Sequence, residues 1–229
     1  MKFIPGLKMW STNKDLIDSA IKLIDDNIFH YIELTPIPGT EIDSFLSYDI
    51  PYAIHITTER FGVNIADPSK YVYNNQMIDF CIDWANQLGV EYMILHPGYG
   101  DPYESIAFLD DVCDSRILIE NMPKVGIHDE KMIGYDPYLV KKLLDAGDFG
   151  FCLDFNHAVK AAISMKTDYK GLLIDFMELK PKMFHISDGM INVEYDEHLN
   201  IGEGNYDLKS FYNCIIKNDF KYCNSIWTS

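Results

Sequence analysis

The chain reads as an α/β protein, a (β/α)8 TIM barrel with no helix after its last strand. Three observations predict this. Short apolar runs of strand length recur eight times. Helical patterns with their own start and stop signals follow most of them. Most runs carry a polar or charged residue at or next to their end. Continuous apolar strands alternating with helices indicate a parallel sheet covered on its outer face. Eight such strands favour a closed barrel over an open sheet.

The runs come in order. Residues 6–10 (GLKMW) form the first, and segment 13–26 follows with Ile17, Ala20, Ile21 and Ile24 at helical spacing. The second and third runs are 30–35 (HYIELT) and 52–58 (YAIHITT). Asp67-Pro68 then supplies an N-cap and a first-turn proline; Val72, Ile78, Ile82, Ala85 and Leu88 give the apolar face, and Gly89 the stop. The fourth and fifth runs are 92–97 (YMILHP) and 117–121 (ILIEN). Asp136-Pro137 opens another helix, with Leu139, Val140, Leu143 and Leu144 on one face and Gly147 as its stop. Runs 150–155 (GFCLDF) and 183–188 (MFHISD) come next, then a helical pattern over 207–217 (Leu208, Phe211, Tyr212, Ile215) and a last run, 221–227 (KYCNSIW). The sequence ends there, so no eighth covering helix is encoded. Either the chain is truncated or something else covers strands 8 and 1. The whole, 1–229, is expected to be one TIM-barrel domain.

Composition narrows the function. No apolar run reaches about 18 residues, which argues against a membrane span. MKFIPGLKMWS is too short in its apolar part, and too broken by Pro5 and Gly6, for a signal peptide. Five scattered cysteines without a CxxC pair read as reduced thiols packed in the interior. The expected location is the cytoplasm. A formal charge of −16 disfavours long DNA as a partner without excluding it, because bound divalent cations would reverse the field inside a cleft.

The chemistry sits where the strands end. Strand 3 carries His55, strand 4 His96, strand 5 Glu120, strand 6 Asp154 with His157 just beyond, and strand 7 His185; the loop after strand 7 carries Asp196 and His198. A buried strand has little reason to hold such residues, since an unpaired buried charge costs several kcal/mol. Barrel strand ends converge on the face where active sites are built. Imidazole plus carboxylate without cysteine suits zinc, with manganese or iron as other choices. One strand histidine would mean little, but five consecutive strands ending this way point to a metal centre. His128 reads as solvated or on the rim, and Asp188 as a cap, a ligand's partner or a substrate contact.

The series HPG (96–98), ENMP (120–123), LDxxH (153–157), HxxD (185–188) and DxHxxIGxG (196–204) resembles the xylose isomerase-like TIM-barrel superfamily, and within it AP endonuclease family 2, the endonuclease IV-like proteins. The resemblance spans about residues 3–220. It implies two or three zinc ions: His55, His96 and a bridging Glu120 for the first, Glu120, Asp154 and His185 for the second, His157, Asp196 and His198 for the third. It also implies a glutamate on strand 8, where this chain has SIWTS. Either the metal count falls, or Glu203 or water takes its place, or the parent activity is lost.

Three carboxylates and five neutral imidazoles would leave a trinuclear divalent site at about +3, able to attract and polarise a phosphate. The first expectation is therefore a zinc-dependent phosphodiester hydrolase, with Glu120, Asp154 and His185 as candidate catalytic residues. Its substrate would be abasic DNA or a smaller phosphate ester. The alternative is a sugar or sugar-phosphate isomerase or epimerase, with one metal on the same three residues and a carboxylate moving the proton. A non-catalytic metal-binding barrel is a third class. No membrane partner is expected, and the oligomeric state is left open.

Overall fold

Alternate residues of a strand face opposite sides of its sheet, and that alternation organises this protein. The computed structural model describes residues 4–217. Seven strands, β1 (Gly6–Trp10), β2 (Tyr31–Thr35), β3 (Tyr52–His55), β4 (Met93–Leu95), β5 (Ile117–Glu120), β6 (Gly150–Asp154) and β7 (Met183–His185), pair in parallel and in sequential order. Eight α-helices accompany them: α1 (Ile17–Asp25), α2 (Asp43–Leu46), α3 (Tyr71–Leu88), α4 (Pro102–Asp110), α5 (Pro137–Leu144), α6 (Phe155–Met165), α7 (Tyr169–Met177) and α8 (Leu208–Lys217). The eighth strand candidate, 221–227, lies outside the described residues.

One set of alternating positions packs against the helices. Ile32, Leu34, Ile54, Met93, Leu95, Ile117 and Ile119 form a core with Phe45, Ile78, Trp84 and Leu143. Phe151, Leu153 and Phe184 do the same with Phe155, Phe176 and Phe211. Phe155 stacks on Phe211 and Phe184 at centroid distances of 4.8 and 5.9 Å. Such pairs add about 0.5–1.5 kcal/mol beyond their area burial.

The other set faces inward in two layers. Tyr31, Ala53, Ile94, Leu118, Cys152 and Met183 form an apolar layer. Two residues further along each strand stand Glu33, His55, His96, Glu120, Asp154 and His185, with Lys8 in register with Glu33. The polar layer thus lies toward the strands' C-terminal ends. Gly6 is required at the bottom of β1, because a Cβ there would overlap the Tyr31 ring. The sheet is curled. Glu33 on β2 and His185 on β7 are five strands apart in order yet 3.0 Å apart in space, whereas a flat sheet would separate them by about 24 Å. This is the arrangement of a (β/α)8 barrel.

The punctuation behaves largely as the sequence predicts. Asp67, Asp101, Asp136, Asp154 and Asp168 each accept a backbone N–H at a helix start. Gly89 ends α3 in the left-handed region at φ 64°. Three boundaries differ: a 3-10 turn (Pro68–Lys70) stands between Asp67 and the start of α3. The helix opened by Asp136 ends at Leu144 rather than running to Gly147, and segment 13–26 divides into a 3-10 turn (Lys14–Leu16) and α1. Among the described residues no helix is long and apolar enough to cross a membrane.

Candidate metal centre

The inward polar layer brings the predicted residues together. Glu120, at the end of β5, is fully buried and presents its two oxygens to different histidines. Its Oε2 lies 3.3 Å from His55 Nε2 and 3.2 Å from His96 Nε2, and its Oε1 lies 2.9 Å from His185 Nδ1. Asp154 is divided in the same way. Its Oδ1 caps α6 by accepting the His157 N–H at 2.7 Å, which leaves Oδ2 facing His185 Nδ1 at 3.8 Å and His198 Nε2 at 3.9 Å. His157, in the first turn of α6, places Nε2 3.4 Å from Asp196 Oδ2.

The loop after β7 delivers the last two residues. Lys160 of α6 donates to the carbonyls of Met190 and Val193 and to Glu197, which pins the segment carrying Asp196. Asp196 Oδ1 accepts from Asn156 Nδ2, and Asp196 Oδ2 lies 2.7 Å from His198 Nδ1. Asp188 accepts the N–H groups of Gly189, Gly202 and Tyr206, so of its three possible roles the loop-holding one is realised. His198 sits at φ 45°, a strained conformation for a non-glycine residue of the kind that concentrates at functional sites.

Among the described residues, ligand-capable atoms gather within 4.8 Å as His55/His96/Glu120, Glu120/Asp154/His185, Asp154/His157/His198 and Glu33/His55/His185. The third group differs from the expected one: Asp154 joins His157 and His198, while Asp196 contacts both imidazoles and is itself held by Asn156. Glu203 is exposed and accepts from Asn200, so it does not replace a strand-8 glutamate. Two groups that the sequence reading gave no role also stand here. Glu33 receives His185 at 3.0 Å and Lys8 at 3.4 Å, and Glu59 receives His96 Nδ1 at 2.9 Å.

The donor set fits a cation. Glu120 Oε2 and Asp154 Oδ2 are buried and make no hydrogen bond, although imidazole nitrogens surround both. A buried carboxylate oxygen without a hydrogen bond is costly, and a bridging cation removes that cost.

Metal-free electrostatics agree. Burial disfavours charge on every ring. At His55 burial prevails, helped by the Lys8 ammonium, and the pKa falls to about 4. At His96 burial is outweighed by Glu59 and Glu120, which push it up to about 9. At His157 Asp154, Asp196 and Glu120 overcome burial and raise it to about 10. His185 is raised well above the usual range, against burial, by Cys152, Glu33 and Glu120. Glu120 is held well below the carboxylate range, again against burial, chiefly by His185 and His96. Protons on His96, His157 and His185, but not on His55, thus match the buried carboxylates, and a cation binding there must displace them.

Above the centre opens a cavity of about 670 Å³. His55, His96, His157, Asp196 and His198 form its floor, beneath walls that include Trp10, Arg60, Phe61, Tyr99, Met122 and Ile127. Glu120, Asp154 and His185 lie buried below. His128 is exposed and on the rim. The Arg60 guanidinium lies 4.5 Å over the Trp10 ring.

A family model described as a xylose isomerase-like TIM barrel matches residues 20–226. A "Probable endonuclease 4" of Mycoplasmopsis synoviae (strain 53) is 26% identical over 196 residues, which cover 77% of this chain and 69% of that protein. A D-tagatose 3-epimerase-like protein shares the fold at a TM-score of 0.75 and 20% identity, over 100% of this chain and 91% of its own. Endonuclease IV from Thermus thermophilus does so at 0.71 and 18%, over 100% and 93%. At such identities the structural likenesses show the fold alone, but the family match covers most of the sequence. The chain belongs to the xylose isomerase-like TIM-barrel family.

Proposed function

We propose that this protein is a zinc-dependent hydrolase of phosphate esters, with a phosphodiester as substrate. One observation carries the reading: Glu120 turns one oxygen to His55 and His96 and the other to His185, a donor set for two cations rather than one. His55, His96 and Glu120 would hold the first cation and Glu120, Asp154 and His185 the second. His157, His198 and the carboxylates Asp154 and Asp196 beside them would hold a third. When bound, paired divalent ions supply Lewis-acid polarisation of a phosphoryl oxygen and lower the pKa of water. The chain's own part is to hold and orient. Arg60, 4.5 Å over the Trp10 ring, presents a guanidinium to the cavity, and it has no ion-pair partner among the described residues. A guanidinium is suited to phosphate oxygens. Trp10, Phe61, Met122 and Ile127 offer apolar surface that excludes water from the floor. The probable endonuclease 4 relative supports the same chemistry.

A sugar or sugar-phosphate isomerase is the second reading. The −16 charge and a cavity of about 670 Å³ favour a small substrate over duplex DNA. The deciding experiment incubates zinc-loaded protein with an abasic-site duplex, with bis(p-nitrophenyl) phosphate and with a panel of ketoses and their phosphates. Ester cleavage abolished by chelation and by His185→Ala is expected. Sugar interconversion without ester cleavage would replace this reading with the second, and silence throughout would refute both.

A further inference from the structure

We infer that Glu33 is a positioning residue that fixes His185 as an Nδ1 ligand, with Lys8 holding the glutamate in place. This rests on the metal-centre reading above. The other inward histidines set the pattern. His55 Nδ1 pairs with the Ile56 carbonyl at 3.0 Å, His96 Nδ1 with Glu59 at 2.9 Å, and His157 Nδ1 with the Asn121 carbonyl at 2.8 Å. In each, Nε2 is left to face the shared carboxylates or Asp196. An imidazole that donates from one nitrogen presents the lone pair of the other to a metal, and the outer acceptor decides which nitrogen that is.

His185 reverses the pattern. Its Nε2 lies 3.0 Å from Glu33 Oε2, and its Nδ1 lies 2.9 Å from Glu120 Oε1 and 3.8 Å from Asp154 Oδ2. Glu33 therefore stands to His185 as Glu59 stands to His96. The reversal follows from the barrel: β2 faces β7 across the interior, so its carboxylate reaches the far side of the ring. Glu33 is fully buried, and Lys8 Nζ lies 3.4 Å from its other oxygen, which offsets the charge that burial would otherwise penalise. The run expected as the eighth strand, 221–227, contains no Asp or Glu. The outer carboxylate of His185 comes from β2.

The test is a zinc titration of the full chain against a chromophoric chelator, comparing wild type, Glu33→Gln and the pair Lys8→Met/Glu33→Gln. The double variant removes the ammonium that pairs with Glu33 together with the glutamate's charge, and so gives a second protein in which to read the same loss. One class of zinc site should weaken roughly 10–100-fold, the usual effect of losing such a partner, while the others keep their affinity. The same change in a His185→Ala background should add nothing. Nitrogen-15 spectra of the zinc-loaded wild type should place the His185 proton on Nε2. Unchanged affinity in both variants, or a zinc-bound Nε2 on His185, would overturn the inference. Wild-type protein that takes up less than one zinc would instead refute the metal reading itself.

Discussion

Glu120 belongs to two of the ligand groups and His198 to one, and that difference can be measured. Consider Glu120→Gln beside His198→Ala, each melted with and without zinc. A ligand that binds only the folded state at 100 times its dissociation constant stabilises by about 2.7 kcal/mol per site. For a chain of this size one kcal/mol shifts the melting temperature by about 2–4 °C. His198→Ala should therefore forfeit about 5–11 °C of the zinc-dependent rise. Glu120→Gln, which damages two groups, should forfeit about twice that. The quantity read is each variant's zinc-induced shift relative to its own chelator-treated baseline, because Glu120→Gln also disturbs the metal-free pairing with His185 and His96. Differential scanning fluorimetry with zinc held at the same multiple of the wild-type constant suffices. If Glu120→Gln loses no more of the shift than His198→Ala, Glu120 is not shared between two cations, and the argument for a polynuclear centre fails.

Two further outcomes are expected. Asp154→Asn should keep the N-cap of α6, because asparagine caps as well as aspartate does, yet lower zinc stoichiometry by elemental analysis, since the Oδ2 charge is lost. Arg60→Ala should raise KM for an anionic ester about tenfold with kcat little changed, the effect of losing a charge-assisted contact to substrate; an equal KM in steady-state assays would remove Arg60 from the binding wall.

The strand ends were legible because a titratable side chain closing an apolar run contradicts its surroundings. His55, His96, Glu120, Asp154 and His185 all gave that signal, and the inward parity of the strands brings them together. Glu33 gave it too, inside HYIELT, and Lys8 inside GLKMW. Their meaning was hidden because it depends on closure: Glu33 and His185 are 152 residues apart in sequence, and only a sheet that curls β2 toward β7 joins them. Glu59 follows β3 in a 3-10 turn, where an exposed glutamate looks the same in sequence as one turned inward to His96. Helix α6 is hard to read for another reason. Residues 155–162 are all buried, the polar Asn156, His157 and Lys160 included, so side-chain polarity there does not report exposure. That burial follows from its place in the barrel. α6 starts at Asp154, lies under the loop that Lys160 ties down, and presents His157 and Asn156 upward to Asp196. The candidate metal-binding residues are therefore easier to read from sequence than the residues that would hold them in position.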